Sequence, residues 1–268
     1  MKFVKKNSWE KEWTQTLRQE KQYLQKNRQK KDSPLNQTLE EHIPDTLQST
    51  LDSAFNKAFS LIFEKGTGVI EKTYNKGKKK TAAKLRRSNA NENGDRSTLR
   101  AFKSTSSLSA AKNLTISSVE GIGLGVLGIG LPDIPLFSAM IFKSLYEIAD
   151  DYGYPYKSTK EQIFLLKLID AALSHGEALL EKNAEIDRYI GLHRWDEGTR
   201  LETALQKTAA QLSGELLYMK FLQGIPIAGA VGGAYDVVYL NRIQTYAKLK
   251  YHKRFLLDQK NTKAFYES

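Results

Sequence analysis

Two aspartates of the sequence, Asp133 and Asp236, lie within apolar segments that are rich in glycine. A carboxylate in apolar surroundings is costly unless it is hydrogen-bonded. If the fold brings these two carboxylates together, their pKa values can separate, so that one serves as acid and the other as base in a hydrolase. The structural alternative, which the sequence favours, is that each aspartate accepts backbone N–H bonds as a cap.

Other residues that commonly carry catalysis do not form a recognisable arrangement. Cysteine is absent, and neither a G-x-S-x-G nor an H-E-x-x-H motif occurs. Asp196 and Glu197 follow His193 closely, but we expect both carboxylates to be exposed. The histidines are scattered without metal-ligand spacing, at His42, His175, His193 and His252. We therefore predict no metal and no cofactor, and a non-enzymatic protein ahead of an enzyme.

The segment Glu120–Lys143, EGIGLGVLGIGLPDIPLFSAMIFK, contains five glycines within ten residues. Part of it, Gly123-x-Gly125-x-x-Gly128, matches the dinucleotide-binding fingerprint. That motif needs a strand before it and a helix after it, whereas the preceding residues here have a helical pattern. Nucleotide binding is therefore not expected.

A second segment, Gly224–Asp236, has a similar composition, and both segments hold small residues four apart, a spacing that lets helix backbones approach closely. Neither segment reaches the roughly 20 apolar residues that a membrane span requires. Two interpretations stay open: the segments pack as core helices, or they line a lipid groove or dip into a bilayer. The candidate lipid contacts are Gly121, Gly125, Gly128, Leu131, Pro132, Pro135, Gly229 and Gly232.

The net charge of +11 is confined to the first part of the chain. Residues 1–110 contain 23 Lys and Arg against 12 Asp and Glu, whereas residues 111–268 contain 18 of each kind. The focus is Lys72–Arg87, which has eight basic residues and no acidic one. Such a run is usually a linker or a solvated face, but it can also bind an anionic membrane surface. Nucleic acid is not expected, because no base-reading module is recognisable. The candidate residues for an anionic surface are Lys78, Lys79, Lys80, Lys84, Arg86 and Arg87.

Apolar residues recur at three- and four-residue steps through most of the chain and no convincing strand is found, which predicts an all-α fold. The first helix, Ser8–Lys31, is polar apart from a thin stripe that contains Trp9 and Trp13. We expect this pair to dock onto the core; the alternative is an interfacial membrane anchor. We predict a mobile loop at Ser88–Thr98 because it is rich in Asn, and one helix over Ser158–Asn183.

Further helices are predicted from about Asp45, where Gly66 and Gly68 should interrupt or end the helix, at Leu136–Asp150, where Gly153 is the stop signal, at Arg200–Leu222, and at about Ala234–Asp258, with Leu249 among its apolar positions. Ser158 and Glu161 form a capping-box pattern at the start of their helix, and its buried stripe is predicted at Ile163, Leu166, Ile169 and Leu173.

The chain resembles the EcsC family from about Ile43 to Tyr246. The resemblance is carried by IPDTLQSTLDSAFNKAFSLIFEKG, by the glycine-rich block followed by LPDIP and DYGYPY, by EQIFLLKLIDAAL and by IPIAGAVGGAYD. It implies a bacterial helical protein that is cytoplasmic and peripheral to the inner face of the cell membrane. EcsC proteins are named from an operon that encodes an ABC transporter, and the resemblance supplies no catalytic residues.

Together these features predict a compact multi-helix domain over residues 41–268, in which the two glycine-rich segments are helical and pack as hairpins. Residues 1–40 are expected to form a polar helical extension, and residues 72–103 a basic, mobile insertion. The expected function is that of a membrane- or lipid-associated accessory protein, which the resemblance links to an ABC transporter. The alternative is a hydrolase that uses Asp133 and Asp236.

Overall fold

The computed structural model describes residues 7–28, 45–101, 133–222 and 234–267. Within these ranges the regular structure is helical and no strand occurs, so the all-α prediction is confirmed. A π-helical turn at Ile62–Gly66 joins the second helix to the third. The helices are α1 (Ser8–Asn27), α2 (Asp45–Leu61), α3 (Thr67–Lys72), α4 (Lys76–Glu92), α5 (Arg96–Arg100), α6 (Asp133–Tyr152), α7 (Thr159–Leu173), α8 (Gly176–Leu192), α9 (Leu201–Leu222) and α10 (Ala234–Glu267).

Helices α6 and α7 form the interior of the molecule. Helix α6 packs against α2, α3, α4 and α10, and α7 packs against α8, α9 and α10. The ring of Phe142 on α6 meets the rings of Phe59 and Phe63 edge-on, with centroids 5.2 and 4.9 Å apart. The predicted apolar stripe of α7 is fully buried, at Ile163, Leu166, Ile169 and Leu173.

The N-terminal helix α1 docks onto α10, as the sequence predicts. Trp9 and Trp13 stack on one another with ring centroids 5.3 Å apart. The indole N–H of Trp9 donates to the Leu256 carbonyl at 2.8 Å. The stacked pair therefore fixes α1 to the C-terminal helix.

The π-helical turn lets α2 continue into α3 through a glycine, where the sequence predicts an interruption or an end. Gly66 closes this turn and is buried. The hydroxyl of Thr67 donates to the Ile62 carbonyl at 2.9 Å and contacts the Tyr146 hydroxyl at 3.2 Å. The interruption is therefore local, since the chain stays helical beyond it.

Helix α6 ends where the glycine signal predicts. Gly153 has a φ of +75°, a left-handed conformation that glycine adopts without a Cβ penalty. Its N–H donates to the Asp150 carbonyl at 3.1 Å, and the N–H of Tyr154 donates to the Ala149 carbonyl at 2.9 Å. These bonds satisfy carbonyls that the helix end would leave unpaired.

The loop predicted at Ser88–Thr98 is wrong. Helix α4 occupies the first part of this segment and α5 begins after a short turn. Asp95 caps α5 by accepting from the N–H of Thr98 at 2.7 Å. The Asn-rich composition favours turns in isolation, but burial of Ala90 against the rest of the molecule supplies the tertiary packing that most helices depend on.

The single helix predicted over Ser158–Asn183 is also wrong, because α7 and α8 are separate helices. Helix α7 ends at Leu173, and Gly176 takes a φ of +55°. The N–H of Gly176 donates to the Arg28 carbonyl at the end of α1, at 2.9 Å. A contact from a distant segment thus occupies the donor that a continuous helix would use internally.

The capping box predicted for the start of α7 is half formed. The Ser158 hydroxyl accepts from the N–H of Glu161 at 3.3 Å. The carboxylate of Glu161 turns away from the cap and accepts from Arg254 at 2.8 and 3.0 Å and from the Tyr251 hydroxyl at 2.7 Å. A tertiary ion pair with Arg254 has therefore replaced the local hydrogen bond from the Ser158 backbone N–H that would complete the capping box.

Replacing Gly153 by Ala should lower the free energy of unfolding by about 1–2 kcal/mol, because a side chain at this φ is strained. The added Cβ would also lie 3.2 Å from Nε of Arg87. The matched control is Gly214→Ala within α9, where nothing lies within 4 Å of an added Cβ. That change should raise stability by about 0.5–1 kcal/mol, and urea unfolding of both variants measures the difference. Equal effects in the same direction would contradict this account of the α6 terminus.

A candidate anion-binding surface on helix α4

The basic run Lys72–Arg87 is mostly the helix α4. Asn75 caps the helix by accepting from the N–H of Lys78 at 2.9 Å. The helix packs on α6, with Ala83 and Ala90 buried in the contact side. A helix turns its residues to all sides, so the predicted anionic-surface residues divide into an inner and an outer set.

The inner set neutralises the end of α6. Lys79 Nζ lies 2.8 Å from the Asp151 carboxylate and 3.5 Å from that of Glu147. Arg86 donates to the Asp151 carbonyl at 3.2 Å, with its carboxylate at 3.8 Å. The C-terminus of a helix is its negative end, so acidic residues there require cations nearby. Lys79 and Arg86 supply them.

Arg87 caps α6 directly. Its Nε and Nη2 atoms donate to the Tyr152 carbonyl at 3.0 and 2.6 Å. The guanidinium lies over the rings of Tyr154 and Phe255, at 4.9 and 5.8 Å from the centroids. Arg87, like Lys79 and Arg86, is therefore held by α6 and its surroundings.

The outer set faces solvent. Lys78, Lys80 and Lys84 are exposed, and Leu85 beside them is 61% exposed. No Asp or Glu occurs between residues 76 and 91. The exposed side of α4 therefore combines three lysines with one leucine, which we call the outer face of α4.

A chain of two carboxylates and two phenols lies where α3 meets α6. The Tyr74 hydroxyl donates to Asp150 at 2.9 Å and lies 3.0 Å from the Tyr156 hydroxyl, which donates to Glu71 at 2.7 Å. Lys76 pairs with the same glutamate. These bonds join α3 and the start of α4 to the interior.

Electrostatics separate the two carboxylates of this chain. Burial raises the pKa of Asp150, although Tyr74 donates to it. Burial alone would also raise the pKa of Glu71, but hydrogen bonds from Lys76 and Tyr156 outweigh it and lower that pKa. Burial raises the pKa of both tyrosines, so each phenol stays protonated and acts as a donor. Among the described residues, this cluster contains no free nucleophile. Its hydrogen bonds suit a structural role, in which they hold α3 against α6.

Most residues predicted for lipid contact or catalysis lie outside the described part of the chain. This holds for Gly121, Gly125, Gly128, Leu131, Pro132, Gly229 and Gly232. Asp133 and Asp236 lie in α6 and α10, but their side chains are not among those described. Pro135 lies in the first turn of α6 and is buried.

Sequence reasoning missed a set of buried charges on α10. Lys250 is fully buried between Glu20 and Asp187, and Lys253 lies 2.7 Å from Glu20 and 2.9 Å from Asp187. Burial lowers the pKa of Lys250. The predicted inward residue Leu249 is only partly buried. Helix α1 holds three Glu against four Lys and Arg, so its composition gave no signal of these pairs. A buried lysine needs a carboxylate partner, and here the partners come from segments distant in sequence.

The described histidines, His175, His193 and His252, contact different partners. His193 ends α8 in a left-handed conformation, with Nε2 3.4 Å from Asp258. His175 Nε2 lies 3.0 Å from Arg242, and His252 Nε2 lies 3.3 Å from Glu12. Among the described side chains, no group of three or more His, Asp or Glu could hold a metal ion.

A comparison with known families assigns the chain. The model of the EcsC protein family matches residues 9–256. The protein belongs to the EcsC family. The match includes α1, whereas the motifs alone suggest a start near Ile43; α1 also packs on α10, well inside the matched region.

Two curated relatives of this EcsC-family chain come from Bacillus subtilis (strain 168). Protein EcsC is 24% identical over 144 residues, which cover 53% of this chain and 58% of that protein. Uncharacterized protein YdbA is 28% identical over 165 residues, which cover 55% of this chain and 56% of that protein. The chain thus spans little more than half the length of these relatives, and no solved structure matches it.

The neighbouring aspartates Asp150 and Asp151 should respond oppositely to conversion to Asn. Asp151→Asn removes the partner of Lys79 and Arg86 and should lower the free energy of unfolding by about 1–3 kcal/mol. Asp150→Asn keeps an acceptor for Tyr74 and removes a buried charge, so stability should change by less than about 1 kcal/mol or rise. Urea unfolding at neutral pH measures both.

The effect of Asp150→Asn on the free energy of unfolding should depend on pH. Because burial raises the pKa of Asp150 in the folded protein, ionisation lowers stability as pH rises from the ordinary Asp value through the raised one. Relative to wild type, Asp150→Asn should therefore be most favourable at neutral pH and lose this advantage below about pH 4. A variant as damaging as Asp151→Asn at neutral pH would show that the Asp150 charge stabilises the fold.

Proposed function

We propose that this EcsC-family protein is a non-enzymatic accessory protein that associates peripherally with anionic membrane surfaces through the outer face of α4. The observation that carries the proposal is the division of the basic run. Lys79, Arg86 and Arg87 hold the helix to α6, while Lys78, Lys80 and Lys84 point to solvent without an acidic neighbour between residues 76 and 91.

The electrostatic attraction expected for this face is substantial. A basic residue near an anionic leaflet contributes about 1 kcal/mol, so three lysines contribute about 3 kcal/mol at moderate salt. Helix α4 is already folded and fixed by its inner side chains, so binding does not have to order the segment. Exposed Leu85 adds an apolar contact that salt does not screen.

The association proposed is peripheral. No helix among the described residues has the length and apolar character to cross a bilayer. The glycine-rich segments that contain Gly125 and Gly232 remain candidates for a further apolar contact, as the sequence indicates. We propose further that the surface contacted is the inner face of the cell membrane and that the protein acts with an ABC transporter, the setting from which the EcsC family takes its name.

Replacing Lys78, Lys80 and Lys84 together by Gln should weaken binding to vesicles that contain phosphatidylglycerol by about 100-fold at low salt, the equivalent of about 3 kcal/mol. The matched control is Lys57→Gln, Lys160→Gln and Lys207→Gln, which removes the same charge from exposed positions on α2, α7 and α9. Co-sedimentation with vesicles, over a series of salt concentrations, measures both triple variants beside wild type.

The control variant should lose much less affinity, because its lysines do not share one face. Leu85→Ala should reduce the binding that persists at high salt. Equal losses in the two triple variants would show that only net charge matters and would contradict a defined surface. Absence of wild-type binding to anionic vesicles at low salt would remove the proposed function.

A further inference from the structure

Helix α1 is held to the molecule by buried ion pairs as well as by the stacked Trp9 and Trp13. Its three buried residues are all polar: Glu12, Thr16 and Glu20. Trp9 and Trp13 are only partly buried. An interface built from ion pairs can exchange its partner for another anion, whereas an apolar interface cannot.

The Glu12 carboxylate contacts both α10, where His252 Nε2 lies 3.3 Å from its Oε1 atom, and the helix that follows α4. It is fully buried, and its Oε2 atom lies 2.7 Å from Nε of Arg100 and 3.4 Å from Nε of Arg96. Gln15, one turn along α1, accepts from the Nη2 atoms of both arginines. The arginines remain 42% and 40% exposed, so one side of each faces solvent.

These arginines belong to the helix that follows α4. Three residues separate α5 from α4, and α5 packs against α4 as well as against α1. Arg96 and Arg100 follow the exposed Lys84 by 12 and 16 residues, and Glu12 offsets one of their two positive charges. Arginine binds phosphate through two parallel N–H donors, so a lipid phosphate can take the place of the carboxylate.

We propose that α1 is an intramolecular competitor of the membrane surface: Glu12 and Gln15 occupy Arg96 and Arg100, and release of this end of α1 adds both arginines to the anionic-lipid surface. The inference rests on the proposed function of the outer face of α4. Because the two occupants compete for the same arginines, membrane binding in turn loosens the start of α1.

A second attachment keeps α1 in place while the first exchanges. Glu20, two turns further along the helix, pairs with Lys250 and Lys253 of α10. This contact does not involve α5. Loss of the Glu12 contact therefore frees the arginines while the remainder of α1 stays docked.

The test compares Glu12→Gln with Glu181→Gln, an exposed change on α8 that alters the net charge equally. Glu12→Gln should raise affinity for phosphatidylglycerol vesicles about fivefold to tenfold at low salt, the gain expected when one to two cations join the surface. Glu181→Gln should raise it less than twofold. Adding Arg96→Gln and Arg100→Gln to Glu12→Gln should abolish the gain.

Because Glu12→Gln changes a buried group and could misfold, a second variant tests the same inference independently. Gln15→Ala removes the other bond to both arginines at a partly exposed position, without altering net charge, and should raise affinity about twofold. A gain that persists without the two arginines overturns the inference, as does equal behaviour of Glu12→Gln, Gln15→Ala and wild type. If the lysine triple variant still loses binding in that case, the proposed function stands and only the competition fails; if wild type does not bind at all, both fail.

Discussion

The buried acidic end of α6 is the constraint on which much of the structure depends. Glu147, Asp150 and Asp151 lie in the last two turns of an interior helix, at the negative end of its dipole. Burial makes each carboxylate costly unless it is paired or hydrogen-bonded. Lys143 of α6 pairs with Glu147 at 2.7 Å, and the remaining compensation comes from α4 and from Tyr74. Asp151 therefore depends on α4 for its cations.

The need for cations beside α6 explains why the segment Lys72–Arg87, which contains eight basic residues, is mostly helix and not a linker. One side of α4 has to reach the carboxylates and the terminal carbonyl of α6, as Lys79 and Arg87 do. Because this segment is so basic, a helix that places some of its cations against α6 also places others on its solvent side. The outer face of α4 is thus a consequence of the same composition, available for an anionic partner.

The same physics recurs on α10, where charge takes the place of apolar residues. Lys250 and Arg254 are buried and pair with Asp187 and Glu161, and the Arg254 guanidinium lies 4.0 Å from the Tyr154 ring centroid. Removing one partner of such a pair leaves an uncompensated charge, which is strongly destabilising. The buried pair of Lys250 and Glu20 holds α1 to α10. The pairs between Glu12 and the half-exposed Arg96 and Arg100 are the ones that we propose another anion can compete for. The proposed competition would couple the basic surface to α1.

The sequence alone determined the helical class and most helix positions, because apolar residues at three- and four-residue steps mark buried stripes such as that of α7, and because Gly153 stops α6. It also located the excess positive charge. Only the tertiary structure decided which cations are paired, since Lys78 and Lys79 are neighbours in the chain but Lys78 is exposed whereas Lys79 pairs with Asp151. The tertiary structure also decided that the Asn-rich segment is helical, because α4 packs against α6. It decided that one helix ends at Leu173 and another begins at Gly176, because Gly176 bonds to Arg28, which is distant in sequence. Local pattern fixes which face of a helix is apolar; the partner across a buried ion pair is set by the fold.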